Sequence, residues 1–86
     1  MDDQNQDFKD QLDQEHEWPD LFMFKFIVPR DRQSQIEALF KPEQITSKAS
    51  KRGNYVSITA KVTMQSSDEV IAIYEAAYRI EGVIAL

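Results

Sequence analysis

One segment constrains the fold of this chain more than any other, because it combines a tight basic turn with a long alternating strand. It spans residues 47–63 and has the sequence SKASKRGNYVSITAKVT. Arg52-Gly53-Asn54 predicts the turn, since glycine reaches positive φ without steric cost and asparagine tolerates that conformation better than most residues. After the turn, apolar and polar side chains alternate as they do in a half-buried strand. The segment therefore predicts a β-hairpin.

The chain before the hairpin predicts a strand, a short helix and an edge strand. Residues 21–28 (LFMFKFIV) are largely apolar on both faces, as in a central strand, and their phenylalanines form the better core face. Asp31 is in position to cap a short helix of about residues 32–40, which Pro42 ends. The polar composition of residues 43–50 predicts a second strand at the edge of a sheet.

The chain after the hairpin predicts a long helix and a short last strand. Ser66 and Glu69 have the spacing of a capping box, so we expect a helix over about residues 67–80. Its apolar side chains cover nearly half of its circumference, so this helix must pack against more than one neighbour. Gly82 ends the helix, and residues 83–86 predict the last strand.

These elements predict an α+β fold in the order β-α-β-β-α-β. Right-handed crossovers in its two β-α-β halves give a four-stranded antiparallel sheet with both helices on one face. This ferredoxin-like split β-α-β arrangement is expected over residues 18–86 as a single domain. Residues 1–17 are rich in Asp and Gln, and we expect them to form an acidic flexible tail. Alternatively, Phe8 and Leu12 have the spacing for one helical turn that docks on the domain.

Charge is distributed unevenly along the chain. The formal net charge is −5 at pH 7, with −7 in residues 1–20 and +2 in residues 21–86. Nucleic-acid-binding proteins concentrate positive charge more strongly, so we expect no nucleic-acid partner. There is no cysteine, which excludes a disulfide framework, a thiolate metal site and a cysteine nucleophile. No apolar run predicts a membrane span, and the acidic start is unlike a secretory signal, so we expect a cytoplasmic protein.

Several short stretches of the predicted domain match a pattern known from one family. They are Trp18-Pro19, Phe24-Lys25-Phe26, the turn at residues 50–55 and the Ser57-Ile58-Thr59 that follows it. With these stretches, residues 18–86 resemble the YbeD-like family of small bacterial proteins of unknown function. The resemblance implies a ferredoxin-like fold similar to the amino-acid-binding regulatory (ACT) domains of metabolic enzymes, and it implies no activity. ACT-type ligand sites commonly have a glycine after the first strand, whereas this chain has Val28-Pro29-Arg30-Asp31.

The basic turn is the first candidate binding site. Its cationic side chains can contact an acidic surface or an anion, and successive N–H groups around a glycine can form an anion-binding nest. The candidate residues are Lys48, Lys51, Arg52, Gly53, Asn54 and Tyr55. The alternative is an exposed hairpin whose charges only maintain solubility.

No other part of the sequence predicts a stronger site. The expected open face of the sheet has only Tyr55 in place of the aromatic residues on which RNA-recognition domains stack bases. His16 lies among scattered acids that lack metal-ligand spacing. Tyr74 and Tyr78 are expected to pack in the core, with stacking at an interface as the alternative. No P-loop, nucleophile elbow or dinucleotide motif is present, so we predict no cofactor, metal or catalytic residue.

We therefore expect a non-enzymatic regulatory or adaptor module. It would bind a protein partner through the basic hairpin and the mixed open face of the sheet, and it would associate weakly as a homodimer to cover exposed apolar surface. The acidic tail would act as a solubiliser or occupy the basic turn of its own chain. The alternative is an ACT-like sensor that binds a small anionic or amino-acid metabolite at a dimer interface.

Overall fold

A computed structural model describes the backbone of residues 3–86 and the side chains of residues 6–86. The helices are α1 (Asp3–Glu15), α2 (Gln33–Glu37) and α3 (Ser67–Tyr78). The strands are β1 (Asp20–Pro29), β2 (Ile45–Ala49), β3 (Tyr55–Met64) and β4 (Ile84–Ala85). Short 3₁₀ turns at Arg30–Arg32 and Pro42–Gln44 lie on either side of α2.

The four strands form one antiparallel sheet in the order β2-β3-β1-β4. This is the strand order expected of the split β-α-β arrangement, and the predicted α+β fold with a four-stranded antiparallel sheet is confirmed. β1 and β3 are the central strands, and they pair along their whole length from Asp20 opposite Met64 to Pro29 opposite Tyr55. β2 lies at one edge, as its polar sequence predicted.

The core lies on the phenylalanine face of β1, as the sequence predicted. Phe24 and Phe26 are fully buried there, and the Tyr74 ring of α3 lies 5.3 Å and 5.8 Å from their ring centroids. α2 contributes the fully buried Ile36, and α3 contributes the fully buried Val70. Both predicted helices therefore cover the same face of the sheet. The other face, which we call the open face, is covered by none of the described elements.

α3 begins with a modified form of the predicted capping box. The Ser66 Oγ accepts a hydrogen bond of 3.3 Å from the N–H of Glu69, which satisfies one unpaired donor of the first turn. The Glu69 carboxylate accepts from the N–H of Gln65 at 2.7 Å, one residue before the position that a standard box would use. The helix ends at Tyr78, before the predicted residue 80.

The N-terminal segment differs from the solvated tail expected from its composition. Residues 3–15 form α1, which lies against α3, and Leu12 is only 3% exposed in the core. The Phe8 ring meets the Tyr74 ring at 5.7 Å, so the pair with helical spacing is what docks. The reason lies in tertiary packing, because α3 has apolar surface that a polar segment with two apolar side chains can cover. The division of the chain at residue 17 stays a prediction.

Polar contacts place the docked segment far from the basic turn. Lys9 Nζ lies 2.8 Å from the Ser67 Oγ and 3.4 Å from an Asp68 carboxylate oxygen, at the start of α3. His16 lies beside Asp20 at the start of β1, whereas the hairpin lies beside the other end of that strand. Among the described residues, α1 therefore lies away from the basic turn. This differs from the expectation that the acidic segment occupies the basic turn of its own chain.

Candidate functional site

The hairpin turn is closed by hydrogen bonds that centre on one serine. The Gly53 N–H donates to the Ser50 carbonyl at 2.9 Å, and the Ser50 N–H donates to the Tyr55 carbonyl at 2.8 Å. The Tyr55 N–H lies 3.3 Å from the Ser50 Oγ, which accepts from it. Gly53 has a φ of +72°, which confirms the reason for glycine at this place, and Asn54 does not share the positive φ.

These hydrogen bonds of the turn leave fewer free N–H groups for the predicted anion nest. Two N–H groups of the turn, those of Gly53 and Tyr55, already donate within the hairpin. A nest needs successive N–H groups that point at the ligand. The side chains of the hairpin, rather than its backbone, are therefore the better candidates for contact with a partner.

A shallow groove of about 330 Å³ lies on the open face beside the hairpin. It is lined by Ile27, Lys48, Ala49, Ser50, Lys51, Tyr55 and Ser57. Strand register explains why residues distant in sequence meet there, since Ser57 of β3 stands opposite Lys48 of β2 on one side and Ile27 of β1 on the other. The groove thus combines apolar lining residues, such as Ile27 and Tyr55, with two lysines.

The turn divides the six residues predicted as one site. Lys48, Lys51 and Tyr55 line the groove. Gly53 and Asn54 line a second, more open hollow together with Arg30 and Asp31. Arg52 is exposed and lines neither of these two depressions.

Sequence reasoning missed Arg30 as a neighbour of the turn. Its N–H donates to the Asn54 carbonyl at 3.0 Å, because the β1–β3 register brings the end of β1 beside the hairpin. Strand alternation places Ile27 and Ser57 on the open face, but neither residue was predicted as part of the site. The signal that would have placed them in the site is the pairing of Ile27 with Ser57, which strand patterns alone do not specify.

The open face combines exposed apolar side chains with lysines. Leu21, Met23, Tyr55 and Ile84 are 60%, 50%, 49% and 53% exposed. The lysines on this face are Lys25 of β1, Lys48 of β2 and Lys61 of β3, all exposed. Strand alternation assigns no Asp or Glu of β1, β2 or β3 to this face. The surface is therefore apolar and positively charged at once.

The cations of this surface have no ionic partner among the described residues. The ion pairs found within 4.0 Å in that part of the chain involve Lys9, His16 and Arg32 as cations. Lys25, Lys48 and Lys61 of the open face, like Lys51 and Arg52 of the turn, are absent from them. Their charges are thus available to a bound molecule.

A separate cavity of about 350 Å³, away from the hairpin, lies between α1, α3 and β4. Tyr74 lines it, and burial, with a smaller contribution from Tyr78, raises the pKa of the Tyr74 phenol. The Tyr74 ring also packs on Phe22, Phe24 and Phe26, so the predicted core role of this residue is confirmed. Tyr78 stacks on Tyr74 at 6.2 Å but is 62% exposed, so it lies at the surface.

Neither a metal-binding cluster nor a membrane-spanning helix is found among the described residues. No group of three or more His, Asp or Glu side chains there is arranged to hold a metal ion. Of the helices in the same part of the chain, none combines the length and the apolar composition needed to span a membrane.

Comparison with known proteins identifies a family without a known activity. Residues 13–86 match the family model described as "Protein of unknown function (DUF493)". This is the family that the YbeD-like resemblance indicated. The match begins within α1 and includes the whole sheet and the groove. No curated protein and no solved structure matches the chain.

Proposed function

The chain belongs to the DUF493 family of proteins of unknown function, and from its surface we propose that it is a non-enzymatic adaptor or regulatory module. It binds a protein partner through the open face of the sheet and the basic hairpin. The molecule acts through this contact rather than through chemistry on a substrate.

The open face carries this proposal. Both helices of the β-α-β halves pack on the other face, so the side chains of the open face have no cover from the described chain. Large contiguous apolar patches are uncommon on monomeric proteins and mark interaction sites. Protein interfaces typically have an apolar centre within a polar rim, and Met23 and Ile27 lie among lysines in this way.

The groove gives the proposed interface a place for an anchoring side chain. Binding energy in protein interfaces concentrates in a few residues that enter well-packed pockets. Ile27 and Tyr55 give the groove of about 330 Å³ an apolar lining that a partner side chain can enter. Lys48 and Lys51 line the same groove, where charged groups of the partner can reach them.

A photo-crosslinking experiment in living cells tests the proposal. A photoreactive amino acid replaces Tyr55 or Met23 on the open face, or Ala72 on the exposed side of α3 as the matched control. We expect a discrete adduct with another protein from the two open-face positions and none from the control. Adducts from Ala72 alone, or from none of the three positions, would count against the proposal.

A small anionic or amino-acid metabolite is the second candidate ligand. The observation that favours it is the groove itself, whose volume of about 330 Å³ lies at the lower end of the range typical of small-molecule sites, roughly 300–1,000 Å³. Lys48 and Lys51 would bind the anionic group. A rise in melting temperature with one metabolite, lost in the Lys48→Gln/Lys51→Gln variant, would favour this candidate over a protein partner.

A further inference from the structure

The charge and shape of the open face specify the partner more closely, on the premise that the proposed function holds. We infer that the partner presents an acidic segment with one apolar side chain at its centre. The segment lies across the open face and places that side chain in the groove beside the hairpin. The acidic groups on either side contact Lys48, Lys51 and the other lysines of the face.

The lysines of the open face are spaced so that they act together. Lys25 stands opposite Thr59, two residues from Lys61 along β3, and Lys48 stands opposite Ser57. Strand spacing and rise put the three Cα positions about 8–14 Å apart. The shortest separation, between Lys25 and Lys61, is similar to the Debye length of about 8–10 Å at moderate salt, so the potentials of these two lysines overlap. At low salt the Debye length rises to about 30 Å, and the overlap then includes Lys48. An acidic chain that crosses the strands meets all three lysines.

The helix layer carries charge of the opposite sign. α1 has Asp7, Asp10, Asp13 and Glu15 in its described part, and α3 begins with Asp68 and Glu69. A negatively charged partner is therefore repelled by one side of the molecule and attracted by the other. Such a distribution steers association and fixes orientation, and it favours an acidic segment over a basic or neutral one.

The groove accounts for the apolar residue within the acidic segment. Ile27 and Tyr55 are apolar lining residues of the groove, and Lys48 and Lys51 line it as well. Lysine stems are apolar and can cover a bound aliphatic side chain while the ammonium groups remain in water. A leucine between carboxylates therefore suits both the apolar lining of the groove and its two lysines.

The same positive charge would attract nucleic acid, but the face lacks the other feature that nucleic-acid binding needs. Single-stranded RNA bound on a sheet stacks its bases on aromatic side chains, which supply much of the affinity. Tyr55 is the only aromatic residue that strand alternation assigns to the open side of the two central strands. We therefore assign the face to an acidic protein segment.

Binding of short labelled peptides to the full chain tests this inference. The probe is a peptide of Glu and Asp residues around a central leucine. One control peptide replaces the acids with Gln and Asn, and another replaces the leucine with serine. We expect the probe to bind more tightly than both controls. Amide signals of Ala49, Tyr55 and Ser57 should shift in the NMR spectrum, while those of α3 remain in place.

Variants of the protein then locate the contact. Lys48→Gln/Lys51→Gln should weaken binding by about 5-fold for each lysine, the effect of an exposed ion pair worth about 1 kcal/mol. Lys41→Gln/Arg79→Gln removes the same charge from exposed positions outside the four strands and should change affinity by less than about 2-fold. Equal effects of the two double variants would overturn the inference.

Three further outcomes would overturn it: no binding of the acidic peptide, equal binding of the neutral peptide, or tighter binding of single-stranded RNA than of the probe. These results are separable from failure of the proposed function. If the open face crosslinks to a protein but the acidic peptide is not preferred, only the inference of an acidic partner is refuted. If the open face does not crosslink to any protein, the proposed function itself is refuted.

Discussion

The Phe8 ring of α1 meets the Tyr74 ring of α3 edge to face, with 5.7 Å between the ring centroids. This contact joins an acidic N-terminal helix to the aromatic cluster of the core, because Tyr74 in turn packs on Phe24. Leu12, one helical turn after Phe8 on α1, is buried in the hydrophobic core. Two apolar side chains therefore attach α1 to the domain, which makes its docking sensitive to single substitutions.

We expect Leu12→Ala to lower the free energy of unfolding by about 2–3 kcal/mol, because it removes a buried side chain and leaves a cavity. Gln14→Ala, at an exposed position of the same helix, should change it by less than about 0.5 kcal/mol. Urea denaturation followed by circular dichroism measures both values. Equal stability of the two variants would mean that α1 does not dock in solution.

Acid should weaken the junction between α1 and β1. The His16 ring lies 2.7 Å from a carboxylate oxygen of Asp20, and this contact lowers the pKa of Asp20. A hydrogen bond of 2.9 Å from the Trp18 indole N–H lowers the pKa of Asp13. Both pKa values are depressed by folding, so the carboxylates stabilise the fold above their unfolded pKa of about 3.9. That stability is lost as the pH falls through the lower folded values.

Asp20→Asn should therefore reduce the urea midpoint near neutral pH, and the difference from the wild type should vanish in strong acid. Asp31→Asn serves as the control, because Asp31 is exposed outside this junction and, contrary to the prediction from sequence, does not cap α2, whose N-cap position is Arg32. This variant should run parallel to the wild type. Urea midpoints measured across an acid titration give the comparison. A difference for Asp20→Asn that stays constant down to strong acid would contradict the assignment.

Most of the fold was predictable because it follows from local periodicity. Alternation after Gly53 specified the hairpin, and the phenylalanines specified the core face of β1. The docking of α1 was not predictable from its own composition, since it depends on how much apolar surface α3 has left uncovered. Only the spacing of Phe8 and Leu12 hinted at it, and the same spacing occurs by chance in solvated segments.

Two glycines with positive φ should respond differently to alanine. A Cβ at Gly82 would lie 2.7 Å from the Pro29 Cγ, whereas a Cβ at Gly53 would lie 3.3 Å from the Arg30 Nη1. Either substitution costs about 1–2 kcal/mol for the left-handed backbone. The Pro29 ring is rigid and the Arg30 guanidinium can move aside, so we expect Gly82→Ala to be the more destabilising. Urea denaturation measures the order.

Second-site changes separate the clash from the backbone cost in these variants. Adding Pro29→Ala to Gly82→Ala should recover part of the lost stability, because the substitution removes the contacted ring atoms. Adding Arg30→Ala to Gly53→Ala should recover little. The reverse pattern would show that the contact at Arg30, rather than the one at Pro29, limits the space.

The candidate site was predictable only in part, because a sequence shows which residues are near the turn but not how strands align. Lys48, Lys51 and Tyr55 were identified from the basic hairpin, and they do line the groove. Ile27 enters the groove through the β1–β3 register, which is a long-range property. Gly53 was correctly identified as a turn residue, but its N–H is used within the hairpin.

Self-association through the open face has a salt dependence that distinguishes it from binding of an acidic partner. Two copies that bring their open faces together would bury Leu21 and Met23 but would also bring like charges together, including Lys25 of each copy. Salt screens that repulsion. We therefore expect weak dimers at high protein concentration that become more stable with added salt, whereas salt should weaken binding of the acidic peptide.

Light scattering over a range of concentrations, at low and high salt, measures the effect. Met23→Asp should abolish the association, and Ala72→Asp on α3 should leave it unchanged. A strict monomer at all salt concentrations would refute self-association through this face.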